Sequence, residues 1–422
     1  MEKILTENWG LKDSHTLKVY ESTGGYKSLE KLFKMKADDV IEEVKKSGLR
    51  GRGGAGFPAG MKWSFIPKDN LKPHYLCINA DESEPGTFKD RYILELNPHQ
   101  MIEGAIACAY AIGAKTIYCY IRGEFVFPFQ RLQAAVDEAY AAGLLGKNIK
   151  CSGIDIDFFV HRGAGAYICG EETALLESLE GKRGYPRIKP PFPAIMGLFG
   201  CPTVINNVET LAAVPYILTK GAEAYRKYGT EKSPGTKLFS VSGHVKKPGN
   251  YEIPLGYSLK KLIEEDCGGM RNGKALKAVI PGGSSVPVLT AKEALDVNLD
   301  YESLAAKGTM LGSGGVIVMD ESVCMVESLK NLAHFYAHES CGQCSPCREG
   351  TGWSYKILKR FHDGEGTLKD IETLLEIADN MMGKTVCVLS DALAMPIQSH
   401  INKFRHEFEE HVKLGKCPFG NE

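Results

Sequence analysis

The sequence contains no apolar run of 18 residues, the length that a membrane-spanning helix needs. Its first residues, MEKILTENWG, include no hydrophobic region of the kind found in signal peptides. Neither charge is in excess, since 51 Lys and Arg face 52 Asp and Glu for a net charge of −1. These absences argue against a membrane span, an exported protein and the basic surface of a nucleic-acid-binding protein. A chain of 422 residues is long enough for two or three domains, and we expect them in the cytoplasm.

The chain is rich in cysteine. Without an export signal, 13 cysteines indicate a reducing environment in which thiols stay free or bind metal. Cys341, Cys344 and Cys347 lie at two-residue intervals, so that their thiolates can point at one centre. Such a set suits an iron–sulfur cluster or a zinc ion. The alternative, structural cysteines in a loop, is disfavoured by the Pro and Gly neighbours, which are poor packing sites for buried thiols.

A fourth ligand is missing from this run. A ferredoxin-type run would continue with a cysteine four residues after the third, where this chain has Thr351. The hydrophobic pattern predicts four helices, at residues 323–339, 348–363, 367–382 and 390–412, with short links that imply an up-and-down bundle. The first and third links then lie at the same end and carry the triplet and Cys387. Cys324 and Cys417 fall at the other end, roughly 25 Å away at 1.5 Å per residue. We therefore predict Cys387 as the fourth ligand and interpret the nine other cysteines as core residues.

The first half of the chain alternates strands and helices. Strands are predicted at residues 74–79, 115–121 and 154–160, and helices at 98–112, 126–143 and 171–180, an order typical of a parallel sheet covered by helices. Ligands of such sheets bind beyond the carboxyl ends of the strands. Two acidic, turn-rich segments follow strands there, at residues 79–86 and 163–172. We interpret them as acceptors for ligand hydroxyls; solvated acidic loops are the alternative.

A glycine-rich loop, RGRGGAGFPAG, occupies residues 50–60. It matches G-x-G-x-x-G, but a dinucleotide-binding fingerprint must follow a strand, whereas residues 37–49 have helical spacing. The loop could still hold an anion, because small residues let backbone N–H groups approach it and Lys62 adds a positive charge. A flexible glycine hinge is the alternative.

Five motifs occur in an order that resembles one family. They are the glycine loop, NADESEPGT at residues 79–87, GAGAYICGEETALLESLEG at 163–181, NNVE at 206–209 and SCGQCSPCREG at 340–350. The chain is similar in this respect, over about residues 15–415, to the NADH-oxidising flavoprotein (51-kilodalton type) subunit of respiratory complex I. The resemblance implies that FMN and NADH are held together beside a [4Fe–4S] cluster.

The resemblance also implies site residues. The expected FMN contacts are Gly51, Gly53, Gly54, Lys62, Asn79, Asp81, Glu82, Ser83, Tyr167, Gly170, Glu171, Glu172, Asn206 and Asn207. The expected NADH contacts are Phe57, Phe65, Glu84, Lys189 and Phe192. Phe192 would stack on adenine, whereas without the resemblance we would interpret it as a core residue. Glu84 and Glu172 would lie near the nicotinamide ribose, where negative charge disfavours a 2′-phosphate, so NADH is expected over NADPH. No catalytic residue is expected, since hydride passes between bound cofactors.

Three domains are expected. Residues 1–235 form an α/β flavin and nucleotide domain with a parallel sheet, residues 236–322 a small β-grasp-like α+β domain, and residues 323–422 a helical bundle carrying the cluster through Cys341, Cys344, Cys347 and Cys387. The middle domain shows no clustered ligands, and we expect it to serve packing and partner docking. Its lone His244 is interpreted as structural.

Three functions are compared. The first is the NADH dehydrogenase subunit of complex I, in the peripheral arm of an inner-membrane complex, beside a small thioredoxin-like [2Fe–2S] subunit and a larger multi-cluster subunit. The second is the diaphorase subunit of a soluble NAD-linked hydrogenase or formate dehydrogenase. The third is a non-enzymatic zinc-binding interaction protein. The ordered motifs favour the first function, although the second uses the same chemistry. The third is disfavoured because redox-inert zinc would have no purpose beside a flavin.

Overall fold

The computed structural model describes residues 2–68 and 71–420. Two compact units make up the chain. The first contains the residues up to Ser83 together with Phe88–Phe239 and Asn250–Gly256. The second contains Glu84–Thr87, Ser240–Gly249 and the residues from Tyr257 onward. The further division of the second unit into a β-grasp-like and a helical domain stays a prediction.

A four-stranded sheet, all of whose strands are parallel, organises the first unit. Its strands are β1 (His74–Ala80), β2 (Ala114–Ile121), β3 (Asp157–Arg162) and β4 (Thr203–Asn207), in the order β3-β2-β1-β4. The predicted parallel sheet is therefore confirmed. The third strand begins later than predicted because Ile156 instead forms an antiparallel bridge with Gly146.

The strand β4 was missed by the sequence reasoning. It is only five residues long and ends in two asparagines, so that it has the composition of a loop. Nevertheless it pairs with the central strand β1, with Asn207 opposite Asn79. The carboxyl end of β1 is consequently flanked on both sides.

Helices accompany this sheet in the first unit. They are α1 (Leu17–Ser22), α2 (Lys27–Leu32), α3 (Ala37–Ser47), α4 (Ala59–Trp63), α5 (Asp90–Leu96), α6 (Pro98–Ile112), α7 (Val126–Ala141), α8 (Glu172–Leu179), α9 (Pro193–Met196), α10 (Val208–Ala212), α11 (Val214–Lys220) and α12 (Ala222–Arg226). The helix α6 begins at a proline, which suits a first turn, and ends before Gly113 in a left-handed conformation. It is buried along almost its whole length, so it forms the centre of the core on its side of the sheet.

A five-stranded mixed sheet comes next along the chain. Its order is β6-β5-β11-β8-β9, from the strands β5 (Thr236–Gly243), β6 (Gly249–Pro254), β8 (Leu276–Ile280), β9 (Leu289–Thr290) and β11 (Gly315–Asp320). The central β11 is parallel to β5 and antiparallel to β8. A two-stranded ribbon and three short helices accompany it, namely β7 (Tyr257–Ser258), β10 (Asn298–Leu299), α13 (Leu259–Lys261), α14 (Ala291–Ala294) and α15 (Tyr301–Ala306).

The C-terminal helices form the predicted up-and-down arrangement. They are α16 (Met325–Glu339), α17 (Ser345–His362), α18 (Leu368–Met381) and α19 (Leu389–Leu414). Each helix packs against the next, and α16 also packs against α19. Met325 and Phe404 from this bundle share a core cluster with Ala278 and Ile280 of β8. The helical region is thus packed on a sheet rather than standing alone.

Gly104 of α6 allows a close approach that any side chain would prevent. A Cβ atom built there would stand 1.9 Å from the carbonyl oxygen of Leu211 in α10. We expect Gly104→Ala to lower the free energy of unfolding by about 1–3 kcal/mol, although alanine is the better helix former, because backbone has to move to make room. Thermal unfolding of the chain with its cofactors bound measures this change in stability. The matched control is Gly352→Ala in α17, where no atom lies within 4 Å of the added methyl and the midpoint should stay the same or rise. A higher midpoint for Gly104→Ala would contradict this packing.

Candidate functional site

Polar residues gather at the carboxyl edge of the parallel sheet. Asn79, at the end of β1, donates its side-chain N–H to the carbonyl of Gly170, 2.8 Å away in the turn that precedes α8. Asp81 follows and is buried, and its backbone N–H donates to the Asn79 side chain at 3.1 Å. Asn206 and Asn207 end the neighbouring β4. The two segments predicted to follow strands therefore meet at this edge, together with the end of a third strand.

The glycine loop lies against the same edge. Gly51 donates its N–H to the carbonyl of Phe57 at 2.8 Å, which closes the loop on itself. A Cβ atom at Gly53 would stand 3.2 Å from the Cβ of Asn207, so the loop passes close to the end of β4. Gly54 has a φ of +145° with nothing within 4 Å of its missing side chain. As predicted, a helix (α3) and not a strand precedes this loop, so the dinucleotide-binding fingerprint is absent here.

Four charged residues form a compact group beside the loop. Lys62 Nζ lies 2.9 Å from Glu172, and Lys189 Nζ lies 2.9 Å from both Glu171 and Glu172. Burial alone would raise the pKa of Glu172, but the charges of Lys62 and Lys189 outweigh it and lower the pKa to about 2. Glu172 is therefore ionised at any physiological pH. Lys62, which the sequence analysis expected to face a ligand anion, is instead paired with the carboxylate of Glu172.

Three of the predicted flavin contacts also cap helices. Glu82 accepts from the backbone N–H groups of Lys89, Asp90 and Arg91 at the start of α5. Glu171 accepts from Thr173 N and Ala174 N at the start of α8, and Asn207 from Glu209 N at the start of α10. These side chains stabilise helix N-termini and at the same time set the shape of the sheet edge. The sequence reasoning assigned them to the ligand alone.

A buried network of charges lies behind this edge and was not foreseen. Lys89 Nζ lies 2.7 Å from Asp90 and 2.9 Å from Glu209, and Lys237 Nζ lies 3.1 Å from Glu209. Asp90 in turn accepts from the side-chain N–H of Asn207 at 2.6 Å. All four charged residues are buried. The available signal was Glu209 itself, an acid within the otherwise apolar stretch Val208–Ala212.

The two lysines on Glu209 differ in their affinity for a proton. The pKa of Lys237 is lowered to about 7, chiefly by burial; the charge of Glu209 raises it, and those of Lys89 and Arg52 lower it. Burial also opposes the charge on Lys89, but Asp90, Glu209 and Glu82 together raise the pKa of that lysine. Lys237 is therefore the residue that loses its proton first, and Lys89 stays charged next to Asn207.

Exposed aromatic rings lie beside the glycine loop. The rings of Phe57 and Phe65 are 6.0 Å apart, and each is about half exposed, at 47 % and 50 %. Phe192 is 57 % exposed, so it is not a core residue. Exposed rings of this size are available to stack on a planar ligand. The remaining predicted nucleotide contact, Glu84, belongs to the second unit, where it accepts from Ser285 N at 2.8 Å and from the hydroxyl of Ser284 at 3.1 Å.

The cysteine triplet lies on the link between α16 and α17. Cys344 caps α17, Cys347 lies in its first turn, and Cys341 is half-buried just before it. Burial raises the pKa of the Cys347 thiol, a hydrogen bond with Ser340 opposes this, and the neighbouring Cys341 and Cys344 raise it further. Thr351, where a ferredoxin-type run has its fourth cysteine, is buried and donates its hydroxyl to the Cys347 carbonyl at 2.8 Å.

The link between α18 and α19 comes to this triplet, as the helix topology predicted. The backbone N–H of Val386 donates to Cys344 Sγ at 3.4 Å, and the half-buried Cys387 is the next residue. Cys324 and Cys417 lie elsewhere, near His411. Four thiols from two links are thus available at one end of the bundle, the donor set that an iron–sulfur cluster requires.

Comparison with known proteins agrees with this geometry. The chain is 54% identical over 419 residues to the second F subunit of NADH-quinone oxidoreductase from Rhizobium meliloti, covering 99% of both chains. It is also 54% identical to the F subunit of the Streptomyces coelicolor enzyme, covering 99% of this chain and 92% of the relative. The chain belongs to the family of F subunits of NADH-quinone oxidoreductase.

Family models divide the chain as its motifs do. Residues 44–216 match the Nuo51 FMN-binding domain, residues 237–318 the SLBB domain and residues 327–411 the NADH-ubiquinone oxidoreductase-F iron-sulfur binding region. These matches confirm the predicted FMN and [4Fe–4S] cofactors, with NADH as the substrate of the family. All predicted FMN contacts fall within the first range and all four predicted cluster cysteines within the last; the individual assignments stay predictions.

A solved structure of another NAD-linked enzyme has the same fold. A chain of an NAD+-reducing [NiFe]-hydrogenase in the air-oxidized state superposes with a TM-score of 0.84 at 36% identity, covering 98% of this chain and 67% of that one. The fold of these F subunits is therefore shared with an enzyme whose acceptor differs.

Glu209→Gln tests the buried network. The change removes the carboxylate that pairs with both Lys89 and Lys237. We expect Glu209→Gln to lower the free energy of unfolding by about 3–5 kcal/mol, because that is the usual cost of breaking a buried ion pair. FMN should also bind more weakly, because Lys89, which lies 3.4 Å from the Asn207 amide oxygen, loses the Glu209 carboxylate that helps to hold it. Denaturant unfolding and flavin fluorescence titration measure these effects. The control Glu42→Gln alters the exposed Glu42–Lys45 pair and should change neither value measurably. Equal behaviour of the two variants would contradict a supporting role for the network.

Proposed function

We propose that this chain is the subunit of a multi-subunit NADH-quinone oxidoreductase that takes electrons from NADH. FMN would be held at the carboxyl edge of the parallel sheet, NADH beside it, and a [4Fe–4S] cluster by Cys341, Cys344, Cys347 and Cys387. The observation that carries the proposal is the convergence of three strand ends and the glycine loop on one edge, in a chain that also gathers four thiols at one end of its bundle.

The residues at the sheet edge suit a flavin. Carboxylates at the ends of β1 and β4 would accept hydrogen bonds from ribityl hydroxyls, and the amides there would both accept and donate. Ser83 Oγ is buried and, within the described part of the chain, has no hydrogen-bond partner, so it is available to a ligand. Gly54 leaves open space beside the loop backbone, so that a phosphate can approach N–H groups. Because Lys62 and Lys189 are balanced by Glu171 and Glu172, this phosphate would rely on backbone donors.

Position is the contribution of the protein to the reaction. When bound, the flavin would supply two-electron uptake from NADH with single-electron release, and the cluster would take up those electrons one at a time. The exposed rings of Phe57, Phe65 and Phe192 would hold the nucleotide by stacking, with Lys189 and Glu172 as its polar contacts. No side chain needs to carry a proton, so none is assigned as catalytic.

The proposed place of the chain is the peripheral arm of complex I. Its partners would be a small thioredoxin-like [2Fe–2S] subunit and a larger multi-cluster subunit, and it would meet the membrane only through that complex. In the described part of the chain, no helix combines the length and apolar character needed to span a bilayer. A diaphorase role in an NAD-linked hydrogenase is the second candidate, supported by the shared fold at 36% identity. Co-purification with either a quinone-reducing complex or a hydrogenase separates the two.

Cys387→Ala tests the fourth ligand. We expect the variant to lose the [4Fe–4S] EPR signal and electron transfer to distant acceptors, because three thiolates cannot hold the cluster in its four-ligand site. NADH-dependent ferricyanide reduction at the flavin should continue. The control is Cys201→Ala, a half-buried cysteine of the first unit, which should keep both activities. Unchanged iron content and rapid transfer in Cys387→Ala would overturn the ligand assignment.

Glu172→Gln tests the choice of nucleotide. Removing this charge leaves Lys62 and Lys189 to attract the additional phosphate of NADPH, and we expect the ratio of kcat/KM for NADPH over NADH to rise on the order of tenfold. Because the pKa of Glu172 is lowered to about 2, the wild-type preference should not vary with pH above about 4. The control Glu177→Gln, on the same helix and paired with Arg187, should leave the ratio unchanged. A wild-type chain that oxidised both nucleotides equally would contradict the assignment.

A further inference from the structure

A second group of metal-type side chains lies in the helical bundle, apart from the cysteine triplet. Cys324, His411 and Cys417 each place a ligand atom within 4.8 Å of the other two. Cys324 and His411 are buried, and Cys417 is half-buried. The chemistry proposed for the flavin and the cluster uses none of the three. His411 is separated from Cys387 by roughly 36 Å along α19, at the rise of an α-helix.

The imidazole of His411 is oriented as a ligand would be. Its Nδ1 lies 2.7 Å from the carbonyl oxygen of Glu407, one turn earlier in α19, and donates a proton to it. The other ring nitrogen, Nε2, therefore carries a free lone pair, and it lies 3.4 Å from Cys324 Sγ. Metal-bound histidines almost always have their second nitrogen fixed in this way.

The sulfur of Cys324 is also supported. Cys324 caps α16, and its Sγ accepts from the backbone N–H of Glu327 at 3.3 Å. This N–H donor and the start of a 15-residue helix both direct partial positive charge at the sulfur. The carboxylate of Glu407 is not available as a ligand, because Lys277 at 2.6 Å and Met325 N at 2.9 Å occupy its oxygens.

The third donor is held in place by the end of the chain. The helix α19 ends at Gly415 in a left-handed conformation, and Cys417 follows two residues later. Gly364, in the link between α17 and α18, approaches so closely that a Cβ atom there would stand 2.1 Å from the Gly415 carbonyl. On the far side of Cys417, the ring of Phe419 lies 4.1 Å from Lys277 Nζ. The segment is thus fixed on both sides of the thiol.

These contacts identify the kind of ion. Two thiolates and one imidazole are a donor set of zinc, whose bond lengths place S and N about 3.6 Å apart in a tetrahedron. The observed 3.4 Å is close to that separation. We propose that Cys324, His411 and Cys417 bind one zinc ion, with water in the fourth position, and that the ion fastens the C-terminal segment to the first helix of the bundle. In the structure, Cys324 contacts both other donors, His411 Nε2 at 3.4 Å and the Cys417 thiol by a side-chain hydrogen bond.

Metal analysis of the full chain, loaded with flavin and cluster, tests this proposal. We expect about one zinc per chain beside the cluster iron. Cys324→Ser and Cys417→Ser should each lower zinc affinity by about 10–100-fold or more, since even the loss of a supporting hydrogen bond has that effect. Their iron content, flavin content and NADH–ferricyanide activity should stay unchanged.

Two controls separate the site from other sources of zinc. Cys201→Ser removes a half-buried thiol outside both sites and should keep the zinc. Cys344→Ser should lose cluster iron and still keep the zinc, whereas zinc that had entered the cluster site would disappear. For a chain that folds poorly when mutated, a chelator on the wild type replaces the variants: zinc removal should lower the unfolding midpoint, and zinc addition should restore it. A wild-type chain without zinc, zinc lost only with Cys344, or a Cys324–Cys417 disulfide found under reducing conditions would each overturn the proposal.

Discussion

The candidate flavin site depends on a buried set of three acidic and three basic side chains behind the carboxyl edge of the parallel sheet. Glu82, Asp90 and Glu209 face Arg52, Lys89 and Lys237, all buried. They come from the glycine loop, the segment after β1, the start of α5, the start of α10 and the strand β5, so the network joins the segments that border the edge. Buried ion pairs of this kind contribute little net stability, but once formed they leave few alternative arrangements. Asn207 takes its orientation from Asp90, and the shape of the edge follows from it.

Helices and strands whose hydrophobic pattern continues over many residues could be predicted from the sequence, and short or polar elements could not. The helix α6 begins and ends where its pattern does, and the bundle helices agree within a few residues, since tertiary packing buries their apolar faces. The strand β4 was missed because five residues ending in Asn-Asn carry no such period. Its pairing with β1 is a tertiary contact, and so are the caps made by Glu82 and Glu171.

The chemical role of a residue could be predicted from its type more readily than the residue that it contacts. Lys62 was expected to face an anion, and the structure pairs it with Glu172, a residue far away in sequence. Phe192 was interpreted as core on its sequence alone, yet it is exposed. Helix topology had placed Cys324 and Cys417 at one end of the bundle but gave them a packing role, because His411 carries no mark in the sequence that sets it apart from the other histidines of the last helix.

Thr351 occupies the helical turn where a ferredoxin-type run has its fourth cysteine, and its hydroxyl is bonded within the helix. The proposed fourth ligand, Cys387, lies beyond two complete helices. A chain emerging from the ribosome therefore presents three thiols together and acquires the fourth only when α17 and α18 have folded back on each other. In this proposed ligand set, four-thiolate coordination of the cluster requires the bundle to be closed.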